Sequence, residues 1–485
     1  MSLKSNDLKI LTRDLPPIAV LSDFPYGPVD RVSQCLIEAG ATLKIINLTT
    51  SIKAQSEYNQ LSGFREVIGD ANKNFQKLKV YQALFERKHP KLNKIYDTFF
   101  SNFDLGIDLK GSKTISDAQI FILGNIFGLY PYSNISDIAK NKYIINRIST
   151  SQSVTGYCIH TAGCQKWQIS GCSKCPQLGL ATTGKDECQT SFNKKSNEFQ
   201  KLKNRIFFVT PSKWLQQEVQ KSILARHHCC LNIPTSVNLD IFKPYDKDTS
   251  KKNLGIKTHS PLILIGSAGL RRNKGLHVLC KALSLLSHKW KKRPTLIFFG
   301  YAPSDTSLLD TIGIPWQSLG WIGNPKILAQ VYSAADIFVS PSFQDNLPNT
   351  VNEALSCGTP VICFDKFSSE DVVIDGITGL LAKHPGLPLA SDGTLKHGSP
   401  YDVDTMQCTD LAEKIFMLLN CSSSEKKILQ QNCRIFAERF FPAPLQALRY
   451  TNLCRKILTL PEKISCAPYE DQSFFFTNGL TKVVF

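Results

Sequence analysis

A chain of 485 residues with 42% hydrophobic side chains has room for two or three domains with real cores, which excludes a disordered protein and a small scaffold held by disulfides. Lys and Arg number 57 and Asp and Glu 40, a formal charge of +17 that favours anionic partners: nucleotide phosphates, lipid headgroups or nucleic acid. The opening MSLKSNDLKILTRDLPP has no apolar core of signal-peptide length, and no run approaches the roughly 18 apolar residues a membrane span needs, so a cytoplasmic protein is expected.

Ile18-Ala19-Val20-Leu21 reads as a strand, Val29 to Ala39 as a helix ending at Gly40, and Thr42 to Leu48 as a second strand, a βαβ opening. The first turn, Phe24-Pro25-Tyr26-Gly27-Pro28, has one glycine. In the polar stretch 51–115, Phe75, Leu78, Tyr81 and Phe85 recur three to four apart among Lys73, Lys77, Lys79, Arg87 and Lys88. Such a helix either buries its stripe in its own domain, the simpler reading, or lies on an anionic membrane surface as a peripheral contact. Gln119 to Leu123 is the next strand, and another starts at Tyr143 and runs towards Ser149-Thr150.

Cys158, Cys164, Cys172 and Cys175 follow with the spacing C-x5-C-x7-C-x2-C. A Cys-x-x-Cys pair grips one metal from two sides, and two further thiolates complete a tetrahedral structural zinc site, with His160 as a substitute ligand. Two disulfides, which a cytoplasmic location disfavours, and four buried thiols are the alternatives. Cysteines elsewhere, such as Cys280, Cys357 and Cys363, stand singly in apolar segments and read as buried thiols.

Ile206 to Thr210 is a strand, a helix opens at Pro211, and Cys229 to Pro234 reads as the last strand of the first half, with a hinge from Asn238 to Pro244. The second half starts with the strand Leu262 to Gly266 and a doubly basic, glycine-bearing turn, Ser267 to Gly275, in which backbone amides and Lys274 can cradle a diphosphate. After a helix from Leu276, a strand at Thr295 to Phe299 and a helix at Lys326 to Ala334, the short strand Asp336 to Ser340 leads through a polar loop into a helix after Pro348. A loop between strand end and helix start is where parallel α/β sheets bind ligands, and the first amides, around Asn349 and Thr350, form a seat for phosphate. Asp345 and Glu353 flank that seat, and neither has a basic neighbour in sequence. Carboxylates beside a phosphate suit sugar or ribose hydroxyls, which need an acceptor; the plain alternative is a loop acid and a first-turn acid favoured by the helix dipole. Pro385 to Gln407 reads as a surface insertion, Asp410 to Leu419, Ser424 to Arg439 and Leu445 to Leu458 as helices, and the tail from Pro461 has no reading.

The run Gln344-Asp345-Asn346-Leu347-Pro348-Asn349-Thr350, then Glu353-Ala354 and Cys357-Gly358-Thr359-Pro360-Val361, with Lys274-Gly275 upstream, resembles the family 4 retaining glycosyltransferases of GT-B fold, in the bacterial exopolysaccharide, colanic-acid-type branch. The resemblance implies an α/β protein of two Rossmann-like domains facing across a cleft. Residues 1–240 would form the acceptor domain with the Cys-rich loop 158–178, 241–445 the donor domain, and 446–485 a helix crossing back to the first domain plus a tail. It implies a nucleotide-diphosphate sugar donor bound by Lys274, Arg272, Asn346, Asn349, Thr350 and Glu353. Asp345 would hold the donor sugar and Glu353 the ribose, with a glycan or lipid-linked acceptor and no cofactor required for transfer.

The branch's His-Asp pair near the reacting sugar is replaced by Ser149-Thr150, its His-Asn pair keeps only Asn125, its Asn-Gly after Ile-Pro is Thr235-Ser236, and a glycine pair gives way to Lys366 to Glu370. Two expectations therefore stand: an active transferase with a modified acceptor side, and a catalytically impaired relative that binds nucleotide sugar or glycan. Nucleic acid is not expected as a partner, because the basic residues are spread rather than striped.

Overall fold

The computed structural model describes residues 15–22, 28–41, 43–47, 64–66, 113–126, 132–175, 187–269, 272–301, 307–386, 403–404, 406–459 and 480–483. The one-glycine turn at 24–27, the stripe at 75–85, Pro176 to Leu178 and most of the insertion and tail lie outside the described residues.

The chain forms two compact units. In the first, β1 (Ile18–Ser22), α1 (Pro28–Glu38), β2 (Leu43–Asn47), β3 (Phe64–Glu66), β4 (Ile120–Leu123), β5 (Tyr143–Arg147), α2 (Glu187–Leu202), β6 (Ile206–Thr210), α3 (Lys213–Lys221) and β7 (Cys230–Asn232) build a sheet of order β3-β2-β1-β4-β5-β6-β7. Each pairing is parallel. The apolar runs are continuous because both faces are covered. Ile18, Val20, Ile120, Ile122 and Phe207 enter one core, and Ala19, Leu21, Phe121, Leu123 and Phe208 the other. Alternate residues of β1, β4 and β6 thus serve opposite layers.

The second unit begins at Val237. It holds α4 (Lys247–Asn253), β8 (Leu262–Gly269), α5 (Leu276–Leu285), β9 (Thr295–Tyr301), β10 (Trp316–Ser318), α6 (Pro325–Ala334), β11 (Ile337–Ser340), α7 (Asn349–Ser356), β12 (Val361–Phe364), β13 (Gly379–Ala382), α8 (Thr409–Asn420) and α9 (Ser423–Phe440). Its sheet, β10-β9-β8-β11-β12-β13, is again all parallel. Helix starts carry the expected chemistry: Ser422 and Glu425 form a reciprocal capping box, and Asn324 caps α6 with Pro325 behind it. Residues 480–483 return to this unit, where the Val483 N–H donates to the Gly376 carbonyl at 2.7 Å and Asn432 Nδ2 donates to the Thr481 carbonyl at 2.7 Å.

Helix α10 (Ala443–Thr459) belongs to the first unit. Its Ala447, Tyr450, Cys454 and Ile457 recur three to four apart and are buried with Val32 and Leu36 of α1. A buried side chain such as Ile457 contributes about 1.5–3 kcal/mol, so the stripe suffices to hold the helix there. Among the described residues no helix is long and apolar enough to cross a membrane.

Several elements escape the sequence reading, α2, α4, β3, β10 and β12 among them. α2 is polar except for Cys188, Phe192, Phe199 and Leu202, which face the core with the buried Lys195, while β10 is three residues long and β12 follows α7 after only a tight turn.

Candidate functional site

The site grows from two loops at the C-terminal edge of the second sheet, one after β8 and one after β11. They nest because residue 275 is glycine: at φ +73° a Cβ there would stand 1.9 Å from the Pro341 carbonyl oxygen. The Phe343 N–H donates to the Asn273 carbonyl at 2.9 Å and clips the loops together. Lys274 is thereby delivered to Asp345, its Nζ 2.7 Å from Oδ2 and 2.9 Å from Oδ1. Asp345 therefore has a basic neighbour after all, one 71 residues away in sequence and invisible to local inspection.

The loop that carries Asp345 is braced from several sides. Ser368 Oγ donates to the Asp345 carbonyl at 2.8 Å, so the Lys366 to Glu370 segment supplies a tie where the resemblance expects glycines. His384, after β13, donates from Nε2 to the Phe343 carbonyl at 2.9 Å and accepts the Gly386 N–H at Nδ1 at 2.8 Å, which fixes it as the neutral Nε2–H tautomer. Leu347 stands at φ 108°, a conformation that costs a non-glycine residue about 1–3 kcal/mol and persists because neighbours over-determine it.

A pocket opens between these parts, lined by Gly266, Lys274, Ser342, Asp345, Pro348 and Thr350 among others. Helix α7 starts at its wall with Pro348 as N-cap and, among the described residues, no side-chain cap, so the first-turn amides of Asn349 and Thr350 can serve an outside acceptor. The carboxamide oxygen of Asn349 and both side-chain amide atoms of Asn352 are buried without a partner among the described residues. Buried polar atoms of that kind call for a ligand or water. Asn352 has no place in the sequence reading, yet the helical offset of three from Asn349 is the signal that finds it.

Glu353 sits deeper. It is 5% exposed and accepts a hydrogen bond from Tyr332 Oη at 3.0 Å, with Tyr332 fixed edge-on against Phe299 and Phe338. Asp345 thus lines the pocket while the Glu353 carboxylate turns towards α6. Asn346 is buried in the same loop, and the Arg272 side chain lies outside the described residues.

The first unit tells a different story. Ser149 and Thr150 follow β5 half-buried. Arg147, at the end of β5, is buried and donates to the Ile233 carbonyl and to Thr235 Oγ1, both at 2.6 Å, and Ser236 Oγ donates to Gln446 Oε1 at 2.7 Å. Thr235-Ser236, a departure from the resembled branch, thus has structural work within its own unit. Lys195, 1% exposed, sends Nζ to the carbonyls of Gln152, Thr155 and Gly156 at 2.7, 2.7 and 3.1 Å and organises the loop beyond Thr150.

Cys158, Cys164, Cys172 and Cys175 lie in one neighbourhood, joined by Cys188 of α2, whose thiol pairs with Cys175. Burial and then the neighbouring sulfurs hold Cys158 well above the ordinary thiol value, the hydrogen bond with Cys175 and then burial do so for Cys188, and burial pushes Cys172 up to about 12. The Gly156 N–H donates to Cys172 Sγ at 3.1 Å, and a Cβ on Gly156 would meet the Cβ of Cys172 at 2.9 Å. Among the described residues no three His, Cys, Asp or Glu side chains are placed to hold one metal ion, and zinc at Cys158, Cys164, Cys172 and Cys175 stays an expectation of the sequence.

Residues 261–388 match the family model of the glycosyl transferases group 1. A putative teichuronic acid biosynthesis glycosyltransferase of Bacillus subtilis is 29% identical over 158 residues, 32% of this chain and 36% of that protein, so the chain spans about a third of the curated relatives it matches. Over the whole fold, a glycosyltransferase from Rickettsia africae is similar with a TM-score of 0.60 at 15% identity, covering 92% of this chain and 100% of that one. Anabaena HepE, solved with UDP and glucose, is similar with a TM-score of 0.58 at 13% identity, covering 91% and 100%. These likenesses show the GT-B arrangement of two parallel-sheet, Rossmann-like domains.

Proposed function

We propose that this chain, with its glycosyl transferases group 1 segment as the working half, is a retaining glycosyltransferase that moves a sugar from a nucleotide-diphosphate sugar to a glycan or lipid-linked acceptor in polysaccharide biosynthesis. The observation that carries the reading is the convergence of Lys274, Asp345 and the uncapped start of α7 on one pocket. A cation and two helix amides suit a diphosphate, and the solved HepE complexes with UDP and glucose or UDP-glucose support a nucleotide-sugar donor on this fold.

The Lys274–Asp345 pair is partly exposed, 24% and 15%, and such pairs are worth at most about 1 kcal/mol, so stability is a poor reason for it. It makes sense as an exchangeable contact. When phosphate arrives, the ammonium turns part of its donor capacity to the diphosphate and stabilises the charge that develops as the nucleoside diphosphate leaves. Asp345, released in part, accepts from the donor sugar's hydroxyls, and the ribose falls to Glu353 once its carboxylate turns from Tyr332 towards the pocket. Attack by an acceptor hydroxyl from the leaving-group side gives retention. No residue of the first unit is assigned as a base.

Isothermal titration with nucleoside diphosphates tests the site: Lys274→Ala and Glu353→Ala each weaken binding, and unaltered affinity in both sinks it. The Ser149-Thr150 substitution favours a second reading, a glycosyltransferase-like binder without turnover. Tight nucleoside diphosphate binding with no hydrolysis or transfer across a panel of nucleotide sugars decides for that reading.

A further inference from the structure

The edge of the second sheet opposite the pocket has its own character. The N-terminal ends of β8 and β9 lie side by side, since Leu262 pairs with Thr295 and the Thr295 N–H donates to the Pro261 carbonyl at 2.8 Å. The segments that lead into them are KKNLGIKTHSP, from Lys251, and SHKWKKRP, from Ser287, and neither contains an acid. Lys252, Lys257, Lys289, Lys291, Lys292 and Arg293 are all exposed. Trp290 packs against Phe416 of α8, ring centroids 5.7 Å apart, and pins the second segment beside that helix while its basic neighbours stay exposed.

The positive charges crowd one another. Burial lowers the Lys251 pKa first, Lys247 and the more distant Lys292 lower it further, and of the acids that reach it Asp336 and Asp248 oppose them. Asp336 is already engaged by Lys247 at 2.5 Å and by the Leu262 N–H at 2.7 Å, so it neutralises little of the face. Two large apolar side chains stand about a third exposed at the rim: Leu285, 36%, two residues before the SHKWKKRP segment, and Trp316, 37%, which opens β10 opposite Leu296 with its ring tilted against Phe298 at 5.9 Å. Repelling cations next to an exposed leucine and tryptophan are costly in water and are stabilised where anionic headgroups overlie an acyl boundary. A single-strand nucleic-acid platform would instead offer stacked aromatic faces along a groove; here Trp290 is engaged and the face is the blunt end of a sheet.

We propose that this edge of the second unit is a docking surface for an anionic membrane. It lies roughly 25 Å, the length of β8, from the pocket, so docking leaves the nucleotide site open. The surface is independent of the donor chemistry above.

The test is co-sedimentation of the full chain with phosphatidylcholine vesicles with and without phosphatidylglycerol. Binding is expected only to the anionic vesicles and should vanish at about 0.5 M salt. The triple variant K291E/K292E/R293E should lose roughly tenfold or more of its partitioning while nucleoside diphosphate binding stays at the parent level. A control variant of equal charge change in the first unit, K140E/K194E/K203E, should keep its partitioning. Absence of binding to anionic vesicles, equal loss in both triples, or tighter binding of a mixed-sequence oligonucleotide than of vesicles at the same salt each overturns the proposal. Retained nucleoside diphosphate affinity in the first triple separates this outcome from failure of the donor site.

Discussion

The C-terminal edges of the two sheets are built alike and equipped differently. In the second unit that edge gathers a cation, a carboxylate and an uncapped helix start around one pocket, and on that helix the Asn349 and Asn352 side chains carry buried amide atoms without a partner among the described residues. In the first unit the corresponding charged groups are turned inward: Arg147 and Lys195 are spent on backbone carbonyls and a threonine hydroxyl. The same architecture thus turns its charged groups to a pocket on one side and into the protein on the other, where Asn146 Nδ2 and Arg147 Nε are nonetheless buried without a partner among the described residues. Ligand chemistry is expected where donors and acceptors stay unsatisfied, and rigidity where they do not.

The strongest way to break this contrast is Gly275→Ala. Because a Cβ there meets a backbone oxygen at 1.9 Å, the two loops must part, and a loss of about 3 kcal/mol in stability together with a fall in nucleoside diphosphate affinity is expected; a chemical denaturation curve unchanged from the parent refutes it. Lys274→Ala should weaken nucleoside diphosphate binding by about 1.5–3 kcal/mol, the worth of a charge-assisted hydrogen bond, read by calorimetry, with little change in melting temperature. Tyr332→Phe removes the donor to a buried carboxylate and should cost about 1–3 kcal/mol of stability, with Glu353→Gln in the same background recovering part of it; additive losses would show that the pair does not act as a unit.

On the first-unit side, the thiols supply a pH test. The Cys172 pKa is raised in the fold from 9.0 to about 12, so its contribution to stability is intact below pH 9 and is lost as pH rises towards 12, by about 1.4 kcal/mol per unit over that window. Cys172→Ala should flatten the alkaline limb of a denaturation-against-pH series, and a parallel slope in parent and variant would rule this out. The smallest effect is expected of Ser149→Ala, which should move nucleoside diphosphate affinity by less than about 0.5 kcal/mol, as for substitutions away from a site. A larger shift would bring the first unit into donor binding and erase the contrast.

Much of the scaffold was readable because buried parallel strands must be continuous apolar runs, as at Ile206 to Thr210 and Leu262 to Ile265, and because the loop from Asp345 to Glu353 keeps its residues close in sequence. What escaped depends on contacts across long separations. The ion pair of Lys274 and Asp345, the hold of His384 on Phe343 and the arrival of Cys188 beside Cys175 have no local signature. Helix α2 carried a signal, Cys188, Phe192, Lys195 and Phe199 at steps of four, three and four, which its many polar residues masked. Replacements that looked like erosion, Thr235-Ser236 and Ser368, prove to have partners, so departure from a motif and loss of purpose are separate questions.

The return of residues 480–483 to the turn at Gly376 has a consequence for how the polypeptide is assembled. The core of the second unit takes in Val483, which the ribosome delivers only after the whole of α10 has been made. Half a molecule cut out as one contiguous fragment ending at Pro442 would leave that seam unzipped, and an affinity handle fused directly behind Val483 would sit on it. A fragment that keeps the last four described positions through a short artificial bridge is the one to express.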